Sequence, residues 1–276
     1  MEFDWFITDV DGTLLDDESN LPAANREALL HCRNIGVPVV LATGRRWTTL
    51  ERLLDRLSLN GLADYAILNN GMVVKELKTR TVLHLENFPW ESALKVVEAL
   101  SALNLDPIAL IYNPEGGPDV FHRRLSLMNG DFIAKNIEQS HSLEDYGELQ
   151  DKSLLELILL GPESTLAEAQ KTLRDLPLET ALIRNVFYAG FMLEITPRLV
   201  SKLSGARRLV NIVGSSLARA VAIGDSANDL SLLRAVGKSL AVKNAPREVQ
   251  ESVQEIVSSG HDGGVAEAIF RHFPRQ

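Results

Sequence analysis

The chain has 276 residues, of which 45% are hydrophobic, and its 37 acidic and 28 basic residues give a net charge of −9. A chain of this length and apolar content can form one large or two modest globular domains with a buried core. The acidic balance argues against a surface that follows nucleic-acid phosphates, because such a surface needs clustered Lys and Arg. Acidic clusters suit a divalent cation instead, so we expect no nucleic-acid partner.

Residues 1–5 enter a predicted strand at once and show neither the basic nor the apolar region of a secretion signal. No later run approaches the roughly 18 apolar residues that span a bilayer. The single cysteine, Cys32, lies within a predicted helix and cannot form an intramolecular disulfide. We therefore expect a cytoplasmic protein without a membrane partner.

The opening third of the chain alternates strands and helices in the order that builds a parallel sheet. These elements are predicted at 5–8, 22–35, 37–42, 47–57 and 65–68, followed by a hairpin at 72–75 and 81–85. The strand at 37–42 is apolar on both faces, as expected of a strand that helices cover on both sides. The pattern predicts a doubly wound, Rossmann-like α/β core.

The order of predicted strands and helices changes from about residue 86. Helices are predicted at 91–103 and 163–173, and strands at 108–112, 154–160, 181–186 and 191–195. An insertion of about 110 residues with its own core is a domain rather than a loop. The chain then returns to the opening pattern, with elements at 200–213, 218–223, 227–235, 239–242 and 245–256. We predict a core domain of residues 1–85 and 196–276, interrupted by an inserted α/β domain of residues 86–195.

Four predicted core strands end in polar segments. In open α/β sheets, ligands bind beyond the carboxyl ends of the strands, so residues that follow several strands converge on one place. The segments are Asp9-Val10-Asp11-Gly12-Thr13, Thr43-Gly44-Arg45, Asn69-Asn70-Gly71 and Gly224-Asp225-Ser226-Ala227-Asn228-Asp229. We expect these four segments to form one site.

Each segment alone has an ordinary structural explanation, such as a hairpin turn, a helix cap or a capped helix start. The combination of the four segments favours a catalytic site over these structural explanations. Asp9 and Asp11, one residue apart, can act as nucleophile, proton donor and cation ligand. Asp225 and Asp229 add carboxylates that suit Mg²⁺, a hard cation that takes oxygen ligands.

Phosphate binding is the second expectation for this site. The Thr43 hydroxyl and the Gly44 N–H can hold phosphate oxygens at a helix N-terminus, where the helix dipole favours an anion. Because acids packed around an anionic phosphate repel it, a nearby cation is expected as well. Lys202 is the candidate. Together these residues predict phosphoryl-transfer chemistry.

The residues resemble a known family. The segments Asp9 to Leu15, Thr43-Gly44-Arg45, Ser201-Lys202 and Gly224 to Asp229, in that order, are similar to the four signature motifs of the haloacid dehalogenase superfamily phosphatases. The best match is the Cof-type branch, which resembles sucrose-phosphatase and mannosyl-3-phosphoglycerate phosphatase. That branch carries a large C2-type α/β cap between its second and third motifs, which implies that residues 86–195 are a substrate-specificity domain.

The resemblance implies a Mg²⁺-dependent hydrolase of a small phosphorylated metabolite, such as a sugar or polyol phosphate. Asp9 would form an aspartyl-phosphate, and Asp11 would protonate the leaving group and later activate water. Asp9, the Asp11 carbonyl and Asp225 would bind Mg²⁺, with Asp229 assisting through water or by orienting Lys202. Thr43 and Lys202 would hold the phosphoryl oxygens, with Asn228 close to them and the Gly44 N–H beside Thr43. Arg45 is a candidate substrate contact or a solvated residue of the helix, and Asn70 is a candidate substrate contact or a turn residue.

One residue departs from the pattern, since the branch usually has Gly directly after its Lys and this chain has Leu203. We expect Lys202 to keep its charge role. Asn244, which precedes Ala245-Pro246, is interpreted as a helix N-cap. Candidate contacts to the leaving group within the inserted domain are Tyr112, Asn113, His122, Arg123, Arg124, Arg184 and Tyr188.

Three other activities share parts of this chemistry. A dehalogenase would share the Asp9 nucleophile but would need neither Asp11 nor a carboxylate metal cluster. A phosphomutase would use the same aspartyl-phosphate and differ in the acceptor that it admits. A non-catalytic sensor of a phosphorylated metabolite would be expected to lack Asp9 or Asp11, and both are present. Hydrolysis is therefore preferred, and no feature of the sequence selects an oligomeric state.

Overall fold

The computed structural model describes residues 3–114, 117–184 and 190–275. The chain forms two compact units, one of Met1–Leu85 and Val200–Gln276 and the other of Glu86–Leu199. The predicted boundary after residue 195 falls inside the last strand of the second unit, Phe191–Pro197, so the chain returns to the first unit slightly later. Within the described residues, no helix combines the length and the apolarity needed to cross a bilayer.

The described strands and helices are numbered in chain order. The strands are β1 (Trp5–Thr8), β2 (Val39–Ala42), β3 (Tyr65–Leu68), β4 (Val73–Glu76), β5 (Val82–Leu85), β6 (Ile108–Ile111), β7 (Val120–His122), β8 (Ser140–Ser142), β9 (Leu154–Gly161), β10 (Leu178–Arg184), β11 (Phe191–Pro197), β12 (Ala220–Gly224), β13 (Lys238–Val242) and β14 (Glu255–Val257). The helices are α1 (Ala23–Ile35), α2 (Trp47–Arg56), α3 (Trp90–Ser101), α4 (Gly130–Lys135), α5 (Glu163–Thr172), α6 (Lys202–Val213), α7 (Leu230–Leu233), α8 (Arg247–Gln250) and α9 (Gly264–His272).

The first unit is built on a sheet of eight described strands in the order β14-β13-β12-β1-β2-β3-β4-β5. The strands from β14 to β3 are parallel, and β4 and β5 add an antiparallel edge. Two helix layers pack on this sheet, α1 with α9 and α6 with α7. Because helices cover the sheet, β1, β2 and β12 are buried along their whole length. The predicted doubly wound α/β core is confirmed.

The second unit contains a sheet of six described strands in the order β10-β11-β9-β6-β7-β8. All neighbours are antiparallel except β7 and β8. On one face, Val96 of α3 and Leu166 of α5 belong to the same buried cluster as Leu157 of β9. A smaller cluster includes Phe132 of α4 and Ile158 of β9. Alternating residues of β9 thus enter two apolar layers, which is why this strand is buried throughout.

The predicted helix at 245–256 is wrong in its second half. The structure contains the short helix α8, and the chain then forms the edge strand β14. Ile256 and Val257 pair with Ala241 and Val242 of β13, so sheet pairing prevails over the helix-favouring residues before them. The helix predicted at 227–235 is instead a 3₁₀ turn followed by α7.

The structure also contains several elements beyond those predicted from the sequence. These are α4, β7 and β8 in the second unit and α9 in the first. The first three have three to six residues and therefore give a weak local signal. α9 is amphipathic, with Val265, Ala268 and Ile269 buried at helical spacing, so its pattern is present in the sequence. Residues 185 and 186 of the predicted strand at 181–186, and the candidate Tyr188, lie outside the described residues.

Candidate active site

The predicted polar segments follow β12, β1, β2 and β3, which are neighbours in the parallel sheet. The loops after β2 and β3 are joined through their backbones. Thr43 donates its N–H to the Ile67 carbonyl at 2.8 Å, and Asn70 donates its N–H to the Thr43 carbonyl at 3.2 Å. Asn69 donates its N–H to the Arg45 carbonyl at 3.1 Å. These bonds hold two of the four segments together at the carboxyl edge of the sheet.

A buried lysine lies at the centre of the site. Lys202 Nζ is 2.5 Å from Asp9 Oδ1 and 2.7 Å from Asp229 Oδ1. The three side chains are 1%, 7% and 2% exposed, respectively. Burial alone would lower the pKa of Lys202, but the Asp9 and Asp229 carboxylates raise it overall, so the side chain remains an ammonium.

The site contains more buried acid than this lysine neutralises. Burial raises the pKa of Asp9 well above its usual range; Lys202 opposes the change, while Asp229 and Asp225 add to it. Burial and then Asp229 also raise the pKa of Asp225. Burial is the main cause in both cases, and the neighbouring carboxylates add to it. A bound cation would supply positive charge that favours the ionised carboxylates.

Three carboxylates have the arrangement that a cation site needs. Asp9, Asp225 and Asp229 each offer an oxygen that lies within 4.8 Å of the other two. Carboxylate oxygens are hard donors of the kind that Mg²⁺ prefers. Asp225 is oriented by Thr13, whose hydroxyl donates to Asp225 Oδ1 at 3.0 Å. The donor set and the excess of negative charge therefore fit a divalent cation.

Asp229 has partners at both oxygens. Its Oδ1 accepts from Lys202, and its Oδ2 accepts the N–H groups of Asp225 at 3.2 Å and Ser226 at 3.1 Å. A Cβ at Gly224 would lie 2.5 Å from Asp229 Cγ, so glycine is needed for the carboxylate to lie against the end of β12. These contacts hold the Asp229 carboxylate in place beside Lys202.

The first turn of α6 packs closely against the loop after β3, because Gly205 and Gly71 have no side chains at the contact. A Cβ at Gly205 would lie 2.9 Å from Gly71 Cα, and a Cβ at Gly71 would lie 2.0 Å from the Ser201 carbonyl oxygen. Ser201 also caps the helix by accepting the Ser204 N–H. This close packing positions Lys202, the first residue of α6.

Arg45 forms a two-point ion pair with Asp11. Its Nε donates to Asp11 Oδ2 at 2.8 Å and its Nη2 donates to Asp11 Oδ1 at 2.5 Å. The hydrogen bond to Asp11 raises the pKa of Arg45. Thr43, which is buried at the end of β2, accepts the Arg45 N–H on its hydroxyl oxygen at 3.1 Å. The second segment thus contacts the first through Arg45.

The remaining predicted residues lie at the same edge. Asn228 Nδ2 donates to Asn70 Oδ1 at 3.2 Å. A Cβ at Gly44 would lie 3.2 Å from that same Asn70 oxygen, so Gly44 is also part of this group. The structure therefore brings together residues from all four predicted segments and Lys202.

Asn244 has a different role from the one predicted. It is not a helix N-cap, because Pro246 precedes the first turn of α8. Its Nδ2 donates to the Gly12 carbonyl at 2.9 Å, and its Oδ1 accepts the Gly260 N–H at 2.9 Å. Asn244 thus links the loop after β13 to the loop after β1, which supports the segment that carries Asp9 and Asp11.

Several candidates of the inserted domain have partners within the second unit. Arg123 and Arg124 pair with Asp106 at 2.7 and 3.4 Å. Asn113 Nδ2 donates to the Pro118 carbonyl at 3.1 Å. His122 is buried, which lowers its pKa. Arg123, Arg124 and Asn113, which the sequence suggests as contacts to the leaving group, therefore have partners within the second unit itself.

The sequence profile of the haloacid dehalogenase-like hydrolases matches residues 6–269. The chain belongs to this family. A phosphoglycolate phosphatase of Methanothermobacter thermautotrophicus is 27% identical over 265 residues, which cover 95% of this chain and 96% of that protein. The 5-amino-6-(5-phospho-D-ribitylamino)uracil phosphatase YcsE of Bacillus subtilis is 25% identical and covers 96% of this chain and 93% of its own length.

Solved structures agree on the fold. A haloacid dehalogenase-like hydrolase from Bacteroides thetaiotaomicron superposes with a TM-score of 0.81 at 24% identity and covers 98% of this chain and 100% of its own. At this identity the likeness concerns the fold alone. The family match and the named relatives confirm the prediction of a Cof-type phosphatase of the haloacid dehalogenase superfamily, and hence of an enzyme.

Proposed function

We propose that the protein is a Mg²⁺-dependent phosphomonoester hydrolase that acts through an aspartyl-phosphate on Asp9. The observation that carries the proposal is the buried group in which Lys202 contacts Asp9 and Asp229 while Asp225 lies beside them. This group combines a carboxylate nucleophile, Asp9, with the buried ammonium of Lys202 and with further carboxylate oxygens that could bind a metal ion. These are the parts that phosphoryl transfer requires.

In the first half-reaction, an Asp9 oxygen attacks phosphorus and the bond from phosphorus to the ester oxygen breaks. Asp11 gives its proton to that leaving oxygen. The Lys202 ammonium, the Thr43 hydroxyl and the Gly44 N–H stabilise the charge on the phosphoryl oxygens. The products of this step are an alcohol and the aspartyl-phosphate.

In the second half-reaction, water attacks the phosphorus of the aspartyl-phosphate. Asp11, now a carboxylate, takes the proton from water, and the bond between Asp9 and phosphorus breaks. This returns Asp9 as a carboxylate and releases inorganic phosphate. Mg²⁺, held by Asp9, the Asp11 carbonyl and Asp225, would supply positive charge that lowers the repulsion between the acids and the phosphate. Asp229 would act by orienting Lys202.

A small polar leaving group, such as a sugar or polyol, is the proposed substrate class. YcsE is named for a substrate with a phosphorylated ribityl chain, and the Methanothermobacter enzyme is named for phosphoglycolate. Both relatives match nearly the whole chain, yet their named substrates differ. We therefore propose the polar phosphate ester as the shared class, with the unit of Glu86–Leu199 as the domain that selects the leaving group.

Phosphate release from a panel of sugar, triose, nucleotide and cofactor phosphates tests this proposal. Wild type is compared with Asp9→Asn and with Asp17→Asn, an exposed aspartate of the same unit. We expect release by wild type and Asp17→Asn that EDTA abolishes and Mg²⁺ restores, and none by Asp9→Asn. Binding of a phosphate ester without release would instead indicate a sensor, and phosphoryl transfer to a second sugar would indicate a mutase.

A further inference from the structure

The pair between Arg45 and Asp11 has a geometry that fixes orientation as well as distance. Both oxygens of Asp11 accept from the guanidinium of Arg45, at 2.5 and 2.8 Å. A two-point contact between a planar guanidinium and a carboxylate restricts rotation in a way that a single ammonium does not. The Asp11 side chain is 42% exposed. Because a carboxylate this open to solvent has few packing constraints, the Arg45 fork is its main restraint.

Arg45 is itself held in place by its backbone. Its N–H donates to the Thr43 hydroxyl at 3.1 Å, and its carbonyl accepts the Asn69 N–H at 3.1 Å. Asn69 and Asn70 adopt the left-handed conformation, with φ of 45° and 52°, so the loop after β3 bends back towards Arg45. Hydrogen bonds between the loops after β2 and β3 therefore hold the backbone that carries the Arg45 guanidinium.

We propose that Arg45 is a positioning residue for Asp11, and that it aids catalysis through the proton that Asp11 transfers rather than through the phosphoryl group. This rests on the proposed function, in which Asp11 protonates the leaving oxygen as its bond to phosphorus breaks. The pair uses one lone pair of each Asp11 oxygen, so a proton can reside on a second lone pair while the carboxyl group stays in contact with Arg45.

Leaving-group chemistry separates this role from direct phosphate binding. An alkoxide leaves poorly and needs the proton of Asp11, whereas a nitrophenolate leaves readily without one. A residue that positions Asp11 therefore affects alkyl phosphates far more than aryl phosphates. A residue that binds the phosphoryl group affects both esters equally, because the group is the same in both.

The experiment measures kcat/KM for p-nitrophenyl phosphate and for the best alkyl phosphate of the substrate panel. The variants are Arg45→Met, Arg45→Lys and, as a reference, Asp11→Asn. The matched control is Arg219→Met, since Arg219 makes a two-point pair with Asp4 at the amino ends of β12 and β1, with Nη2 to Oδ1 at 2.6 Å. Thermal unfolding of each variant reports whether it is folded.

General acids contribute about 10²- to 10⁴-fold to rate, so loss of positioning should cost part of this range. We expect Arg45→Met to lower kcat/KM by about 10- to 100-fold on the alkyl ester and by less than about 3-fold on the aryl ester. Arg45→Lys should fall between Arg45→Met and wild type, because it restores the charge but not the fork. Arg219→Met should leave both values unchanged.

Equal losses on the two esters in Arg45→Met would overturn the proposal and assign Arg45 to the phosphoryl group. Unchanged kcat/KM on both esters would overturn it too. If Asp11→Asn lacks the leaving-group dependence in an active enzyme, the proposed role of Asp11 fails and this inference fails with it. If Asp11→Asn shows the dependence and Arg45→Met does not, only the inference about Arg45 is wrong.

Discussion

Replacement of Lys202 by methionine tests how the buried charges of the site are balanced. Methionine keeps an unbranched chain of similar length, so the change removes the charge with little loss of packing. Removing one partner of a buried ion pair costs about 3–5 kcal/mol, because the other partner stays buried and unpaired. Lys202 has two buried partners, Asp9 and Asp229. We therefore expect the free energy of unfolding to fall by about 4–5 kcal/mol without metal, near the top of that range.

Urea unfolding at pH 7 in EDTA measures this loss, with the exposed Lys243→Met as a control expected to change stability by less than about 0.5 kcal/mol. Added Mg²⁺ should recover part of the loss, because a cation replaces some of the missing charge. The loss should also shrink at lower pH. Burial raises the pKa of Asp9, so this acid contributes stability below its folded-state pKa and loses it as pH rises through that value.

A loss for Lys202→Met of less than about 1 kcal/mol in EDTA would refute this reasoning, since the carboxylates would then not depend on Lys202 for their charge balance. An equal loss with and without Mg²⁺ would refute the second part, in which the same carboxylates bind the cation. Measurement of both conditions on one protein preparation separates the two conclusions.

Three further predictions concern single contacts. Gly205→Ala should lower both stability and kcat, because overpacking costs about 1–3 kcal/mol and the gain in helix propensity is only about 1 kcal/mol. The control Gly130→Ala has open space around its Cβ and should raise the Tm. Glu194→Gln should raise the Tm at pH 8 and lose that advantage near pH 4, since burial raises the pKa of Glu194 and the cost of its charge grows as pH rises through that pKa. Thr13→Val removes the hydroxyl that orients Asp225 and should raise the Mg²⁺ concentration for half-maximal activity by about 10-fold.

The convergence of the polar segments could be predicted because it depends on a local pattern and one topological rule. Asp9, Thr43, Asn70 and Asp225 each follow an apolar run, and strands in a parallel sheet have their carboxyl ends at one edge. No knowledge of side-chain packing was needed. The predicted core and the placement of these residues at one edge of the sheet follow from this reasoning.

Contacts that depend on tertiary approach could not be predicted in this way. Asn244 precedes a proline and a short helix, which locally favours an N-cap, but its amide links Gly12 to Gly260, more than 200 residues apart in sequence. The edge strand β14 differs from its local prediction for a similar reason, since its pairing with β13 prevails over local helix preference. In both cases the deciding partner is distant from the residue in the chain.

The presence of Leu203 where the family branch usually has glycine is explained by the geometry of α6. Residues three apart share a helix face, so Lys202 and Gly205 lie on the same side of α6, and both are buried there. Gly205 is the position at which this face approaches Gly71, with no room for a Cβ. Leu203 is one residue, and hence about 100°, around the helix from Lys202. Its bulk is therefore directed away from the contact that sets the position of Lys202, and the ammonium reaches Asp9 without a glycine at position 203.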